Sequence, residues 1–307
     1  MDFPQEISKF KVSLDDFQKI KSIGYGSYGE VFLAKYIPNN NEVALKIFSD
    51  KILEGKSKAC FCKEIKVMSL CNNPFIVKFL GYTDNYPYSI AMELAKYGSL
   101  YDSLRHKPGS HKIDSTQKTI IALSISYGMC ELHRRHIIHN DLKSMNILLD
   151  ENLFPKICDF GISRFLGENE EIATNIIGTP HWMAPEMFET DDYTEKVDVY
   201  AFGILLWEIL TEEIPFENMT SFQVMTAVCI QKKRPEIPSN TSQGLSQLIS
   251  SCWEHNPDKR PTFQEIYQMF LTKKAFFNGI NFKKFEALVK YIQKFDNNFG
   301  MAEEEAK

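Results

Sequence analysis

The run Ile137-Ile138-His139-Asn140-Asp141-Leu142-Lys143-Ser144-Met145-Asn146-Ile147-Leu148-Leu149 constrains this chain more than any other segment. Polar side chains stand at fixed places between two apolar flanks. Asp141 can orient a hydroxyl group and take its proton, and Lys143, two residues on, can neutralise charge that develops beside it. Asn146 can ligate a hard divalent cation through its side-chain oxygen. An Asx-rich turn between strands explains any one of these residues, but it explains the set poorly.

Upstream, Gly24-Tyr25-Gly26-Ser27-Tyr28-Gly29-Glu30-Val31 lies between two predicted strands. Glycines there let backbone N–H groups approach a polyphosphate closely. A Gly-rich hairpin turn is the plainer reading of that motif alone, and a dinucleotide fingerprint does not fit because no helix follows. Lys46 closes the apolar stretch Val43-Ala44-Leu45, fifteen residues after Val31. Alone it is a solvated strand end. With Glu64 on the following helix it becomes a candidate ion pair that holds an ammonium extended toward phosphate oxygens. Asp159-Phe160-Gly161 begins thirteen residues past Asn146. Asp159 is there a second candidate metal ligand, and Gly161 gives the backbone a swivel.

At 307 residues the chain exceeds the usual reach of one hydrophobic core, so one large two-lobed domain or two modest domains is expected. A net charge of -5 and a pI near 5.9 argue against nucleic-acid binding, which favours a basic face. The seven cysteines are odd in number and none forms a C-x-x-C pair, a pattern of free thiols in a reducing compartment. The most apolar stretch, Tyr200 to Leu210, is too short to span a bilayer and contains Glu208. No transmembrane segment is therefore expected, and a cytoplasmic location with access to the nucleus is.

The first third reads as β-rich, with strands over Phe17–Ile23, Glu30–Tyr36 and Asn41–Phe48 separated by Gly- or Asn-rich turns. A helix follows over Ser57–Leu70, with Phe61, Ile65 and Met68 on one face, then strands over Ile76–Thr83 and Tyr88–Glu93. Beyond Ala95 the pattern is helical. Asp114 or Ser115 caps a helix to Arg135 whose apolar side is Ile120, Leu123, Tyr127 and Cys130. Thr194–Leu210 is apolar nearly all round and belongs in a core. Shorter helices are expected near Ser221–Ile230, Ser242–Trp253 and Thr262–Leu271.

Taken in this order, the motifs resemble those of the eukaryotic protein kinases, from about Phe17 to Leu271. Gly178-Thr179-Pro180-His181-Trp182-Met183-Ala184-Pro185-Glu186 is similar to the end of an activation segment. Asp198-Val199-Tyr200-Ala201-Phe202-Gly203 resembles the buried helix that anchors the catalytic loop, and Arg260-Pro261-Thr262-Phe263 the closing motif whose Arg260 pairs with Glu186. The resemblance implies an α+β, bilobal kinase fold over 17–272: an antiparallel β-sheet N-lobe with one key helix (17–94) and a mostly helical C-lobe (95–272). A partly helical extension occupies 273–307. It implies ATP and Mg²⁺ as cofactors, with Mn²⁺ as a substitute, and Asn146 and Asp159 as metal ligands. Asp141 is then the base, supported by Lys143, Lys46, Glu64 and Thr179. Nucleotide contacts are implied at Ile23, Gly24, Gly26, Gly29, Val31, Ala44, Lys46, Met92, Glu93, Ala95 and Leu148. Met92 guards the back of the pocket, Glu93 to Ala95 form the adenine hinge, and Ile23, Val31, Ala44 and Leu148 enclose the purine. Met68, Phe79, Phe160 and His139 are implied to stack between the lobes, anchored by Asp198, which makes His139 a core residue.

Lys143 and Thr179 resemble the serine/threonine class, whereas Gly98-Ser99-Leu100 and Trp207-Glu208 have a tyrosine-kinase character. The mixture is similar to the tyrosine kinase-like group of Ser/Thr kinases, so protein substrates with Ser/Thr acceptors are implied. A pseudokinase scaffold is disfavoured because Lys46, Glu64, Asp141, Lys143, Asn146 and Asp159 are all present. A small-molecule phosphotransferase is disfavoured by the peptide platform at Gly178–Glu186. Asn140 stands where most members of the family carry Arg, so phosphorylation of Ser163, Thr174 or Thr179 is expected to have weak control through that contact, with Arg164 as a substitute cation. In the extension, Phe282, Phe285, Leu288, Val289, Ile292 and Phe295 recur at helical spacing. Packing on the C-lobe is the expected use, and partner docking on 273–296 the alternative.

Overall fold

The computed structural model describes residues 3–26, 28–166 and 178–304, with side chains as far as Gln293; Ser27, Thr174 and the Phe295 side chain lie outside the described residues. A short helix, α1 (Gln5–Ser8), precedes a sheet of β1 (Phe17–Gly26), β2 (Gly29–Tyr36), β3 (Asn41–Phe48), β4 (Phe79–Thr83) and β5 (Ser89–Glu93), with α2 (Gly55–Leu70) between β3 and β4. The sheet is antiparallel, in the order β1-β2-β3-β5-β4. Its pleat decides which residues face the site. Val43 and Leu45 pack with Phe17, Ala34 and Ala91 on one face, while Ala44 and Phe48 join the main core on the other. Lys46 lies in register with that second set and is itself buried, which is why a strand-end lysine is not solvated here. Helix α2 closes over the same face with Phe61, Ile65 and Met68, and the same side buries Glu64.

The second lobe contains α3 (Leu100–Leu104), α4 (Ser115–Arg134), β6 (Ile137–Ile138), β7 (Ile147–Leu149), β8 (Pro155–Ile157), β9 (Arg164–Phe165), α5 (Lys196–Thr211), α6 (Ser221–Met225), α7 (Gln243–Cys252), α8 (Phe263–Leu271) and α9 (Phe282–Glu304). Asp114 caps α4 through a reciprocal pair with Gln117, and Thr262 caps α8 in the same way with Glu265. The apolar side expected for α4 needs correction. Ile121, Ala122, Ile125, Met129 and Leu132 are buried along with Leu123, whereas Ile120, Tyr127 and Cys130 are only half-buried. Elements cover α4 on several sides, so its buried arc is far wider than one amphipathic stripe. Gly128 marks the tightest approach, since a Cβ there would stand 2.8 Å from Ile157 Cδ1 on β8. The strand expected from Ile76 starts only at Phe79, and the helix expected over Ser221–Ile230 turns into a wide π-type coil after Met225.

The extension after Lys273 is built into this lobe. Phe285, Leu288 and Ile292 of α9 are buried, and the Tyr291 ring stacks on Phe154 at 5.9 Å. Backbone N–H groups of Phe277 and Asn281 donate to Thr119 and Thr116 of α4 at 3.1 and 2.8 Å. No helix among the described residues is long and apolar enough to cross a membrane.

Candidate active site

Lys46 on β3 donates to both carboxylate oxygens of Glu64 on α2, at 2.9 and 2.7 Å, and lies 3.5 Å from Asp159 Oδ1. Burial works against the Lys46 ammonium, but Glu64 and then Asp159 outweigh it and hold its pKa up. With one ammonium between two close carboxylates, Lys46 is charged. Burial likewise works to raise the Asp159 carboxyl, and Lys46, His139 and Lys143 together hold it below the usual carboxylate range. Asp159 nonetheless leaves 45% of its side chain open to solvent, so an ionised oxygen is available to a ligand.

A second cluster forms where the catalytic-loop residues meet the end of the activation segment. Lys143 Nζ donates to Thr179 Oγ1 at 2.5 Å and pairs with Asp141 Oδ2 at 2.7 Å; Thr179 Oγ1 in turn donates to Asp141 Oδ1 at 3.0 Å. Asn146 Nδ2 donates to the Asp141 carbonyl and to Oδ2, at 2.8 and 2.9 Å. The Asn146 amide nitrogen is thereby committed, leaving its oxygen for a cation. The Asn146 carbonyl accepts the Cys158 N–H at 3.0 Å, which ties this loop to the residue before Asp159. Two oxygen donors from different loops suit a hard cation that takes its remaining ligands from phosphate. The described residues contain no group of three or more His, Cys, Asp or Glu that could hold a metal ion.

The backbone of this region is pinned from below by Asp198 on α5. Its Oδ2 accepts the His139 N–H at 2.8 Å and contacts His133 Nε2 at 2.9 Å, and its Oδ1 accepts the Asn140 N–H at 3.0 Å. His139 is fully buried, with its ring 5.2 Å from Phe160 and Nε2 on the Cys158 carbonyl at 3.1 Å, so it is a packing residue, not a base. Met68 and Phe79 are buried in the same core. Asn140 and Asp159 hold left-handed backbones, φ 69 and 65, which Asn and Asp tolerate better than most residues and which often mark functional loops.

The glycines divide by role. A Cβ at Gly29 would lie 2.0 Å from the Ile47 carbonyl oxygen, so the sheet itself demands glycine there. Among the described residues, a Cβ at Gly24 would have nothing within 4 Å, and one at Gly26 would meet only the Gly29 carbonyl and Lys46 Cε, the latter at 3.9 Å. That leaves open space beside the lysine among the described residues. Ala44 and Met92 are paired across β3 and β5 and are buried; Val31 and Leu148 are half-buried, and Ile23 is 44% exposed. These apolar residues come from strands of both lobes. The Glu93 N–H already donates to the Lys78 carbonyl, and the Glu93 carboxylate is held by Lys156. Hinge contacts at Glu93 are thus left to its carbonyl, and Ala95 follows two residues on.

Arg260 is buried and pairs with Glu186 through 2.5 and 2.9 Å bonds, as expected. Arg164 is engaged elsewhere: it donates to the Asp191 carbonyl at 2.6 Å, and its guanidinium lies 5.3 Å from the Tyr193 ring. Sequence reasoning did not assign Glu208 a role. It is fully buried and accepts from Ser144 (2.6 Å), Arg105 (2.9 Å) and Trp182 (3.2 Å), joining the catalytic loop to α3 and the activation segment. Burial, only partly opposed by Ser144, Arg105 and Trp182, pushes its carboxyl up to about 7. One charge inside the otherwise apolar stretch Tyr200 to Leu210 was the available signal.

Residues 17–270 match the family model described as protein tyrosine and serine/threonine kinase. Among curated relatives, the Arabidopsis thaliana serine/threonine-protein kinase STY17 is 36% identical over 262 residues, which is 85% of this chain and 45% of that protein. The Dictyostelium discoideum dual specificity protein kinase shkD is 39% identical over 86% of this chain and 35% of its own length. The Arabidopsis serine/threonine-protein kinase CTR1 is 37% identical over 81% of this chain and 30% of its own. The chain spans less than half the length of each of these relatives.

Proposed function

The chain belongs to the protein tyrosine and serine/threonine kinase family, and from that membership we propose that it transfers the γ-phosphate of ATP to Ser and Thr hydroxyls of protein substrates in intracellular signalling. The observation that carries this reading is the mutual bonding of Asp141, Lys143 and Thr179, with Lys46 and Glu64 paired beside Asp159. In the reaction, the substrate hydroxyl oxygen bonds to the γ-phosphorus and its proton passes to Asp141. The bond from phosphorus to the β–γ bridging oxygen breaks, and ADP leaves with the electron pair. Lys143 and Lys46 neutralise negative charge on the phosphates, and Gly24 and Gly26 leave room for them. When bound, Mg²⁺ or Mn²⁺ on Asn146 and Asp159 would offset triphosphate charge. Thr179, bonded to both Asp141 and Lys143, supports a Ser/Thr acceptor and placement of the chain in the tyrosine kinase-like group. The dual specificity of shkD, as its name states, makes Tyr the second acceptor to test.

Label transfer from γ-labelled ATP to a generic basic protein, followed by phosphoamino-acid analysis, tests the proposal. Mg²⁺-dependent label on Ser and Thr is expected, with a loss of roughly a hundredfold or more in Asp141→Ala. Label on Tyr as well widens the acceptor class. No transfer by the intact chain, or equal transfer by Asp141→Ala, overturns it.

Seven cysteines that form no disulfide support a cytoplasmic location with access to the nucleus. Partner docking on 273–296 would have to use the outward side of α9, because Phe285, Leu288 and Ile292 are spent on the C-lobe. Asn140 is short and uncharged, and its Nδ2 is bonded to the Ile162 carbonyl at 3.0 Å, which supports activity that depends little on activation-segment phosphate through this residue.

A further inference from the structure

Residues 3–16 lie outside the family match and yet are fastened to the back of the N-lobe. β4 is the edge strand of the sheet, and this segment covers its free side: the Val12 N–H donates to the Tyr82 carbonyl at 3.0 Å and the Tyr82 N–H to the Phe10 carbonyl at 3.1 Å, a parallel bridge centred on Lys11. Lys11 pairs with Asp84 at 2.8 Å. The approach is close enough that a Cβ on Gly81 would lie 2.8 Å from both the Phe10 carbonyl oxygen and Val12 Cγ1. Ile7, on α1, is buried in the main core, and α1 touches α2.

The aromatic contacts give this segment a route to the site. The Phe3 ring meets Tyr82 edge-on at 5.0 Å, and Tyr82 meets Phe61 of α2 edge-on at 6.5 Å. Phe61 also packs on Phe48 and Tyr88, at 5.0 and 5.9 Å, so Tyr82 is one wall of the socket that seats α2 on the sheet. Glu64 follows Phe61 by about one helical turn and carries the ion pair to Lys46. Phe10 packs on Phe79 at 5.1 Å, beside the same core.

We infer that residues 3–16 are a clamp, built into the chain, that seats α2 on the sheet and so holds Glu64 on Lys46. Phe3, Ile7 and Phe10 are positioning residues. They touch neither nucleotide nor acceptor, and they act by removing the freedom of the helix that presents Glu64. The effect on turnover rests on the phosphotransfer reading; the effect on the helix does not.

The test compares the intact chain with Phe3→Ala/Ile7→Ala/Phe10→Ala, and with a chain lacking residues 1–12, by hydrogen exchange and by turnover. Exchange in residues 57–66 should rise roughly tenfold or more while residues 199–209 of α5 stay protected, and turnover should fall in parallel. A synthetic peptide of residues 2–16, added to the truncated chain, should restore both. Unchanged exchange in α2 overturns the clamp. So does loss of protection spread equally over both lobes in the milder Phe10→Ala chain, because a clamp loosens α2 selectively. An intact chain that transfers no phosphate defeats the kinase reading alone, since α2 exchange still decides the clamp.

Discussion

Removing Glu64 tests the site and the energetics together. Lys46 and Glu64 side chains are only 8% and 3% exposed, so Glu64→Ala leaves an ammonium in a nearly dry place. Breaking a buried ion pair from one side costs about 3–5 kcal/mol. Asp159, 3.5 Å away and partly solvated, takes over some of the compensation, so the expected loss sits at the lower end, about 3 kcal/mol. Trp182, Trp207 and Trp253 all lie in the C-lobe, which makes their fluorescence a poor reporter of this change. Native-state hydrogen exchange of β3 and α2 is the suitable assay, and 3 kcal/mol corresponds to a rise of roughly a hundredfold. The double variant Lys46→Met/Glu64→Leu removes both charges and fills the space, so it should recover most of the protection while transferring no phosphate. Less than about a threefold change in Glu64→Ala, or a double variant as exposed as the single one, refutes the argument that the pair is a desolvated, mutually dependent unit.

Glu208 should make the C-lobe sensitive to pH. Its carboxyl is held at about 7 against an ordinary 4.5, so the folded state keeps a proton that the unfolded chain releases. That contribution is complete below pH 4.5 and is lost as pH rises through 7, on the order of 3 kcal/mol in all. Tryptophan-monitored unfolding of the intact chain and Glu208→Gln should diverge by that amount over this window, and a constant difference counts against it. Burial also pushes the Cys158 thiol up, and its Sγ lies 3.4 Å from the Asn146 carbonyl. Alkylation of Cys158 should therefore be slow and slower still with saturating nucleotide; indifference to nucleotide would mean that Cys158 does not border the pocket. Phosphatase treatment should leave most of the activity intact. Near-complete loss, restored by Asn140→Arg with rephosphorylation, would contradict the reading that activation-segment phosphate has little control through residue 140.

Much of the site was legible because its chemistry sits in short, ordered segments. Asp141, Lys143 and Asn146 are five residues apart at most, and Asp159 follows closely, so local spacing alone announced them. The strands β1 to β3 were legible for a similar reason: alternation and turn residues are local signals. The boundaries of β4 and the buried arc of α4 were misjudged because they depend on neighbours. Ile76 and Val77 pair with Ile157 of β8 before the chain reaches the sheet, and α4 is covered from several sides.

The amino-acid order was sufficient to specify the reactive groups, their family resemblance and the two-lobed pattern of strands followed by helices. Only the tertiary structure decided that Gly29 is glycine for packing while Gly24 and Gly26 leave open space, and that the C-terminal apolar stripe is spent on the C-lobe. It likewise decided that Glu208 links the catalytic loop to the activation segment and that residues 10–12 pair with the edge strand β4. The physical reason is range. A side chain's type and its near neighbours are written in sequence, whereas burial and hydrogen-bond partners arise from groups brought together across a hundred residues or more, such as Lys46 with Asp159 at a separation of 113.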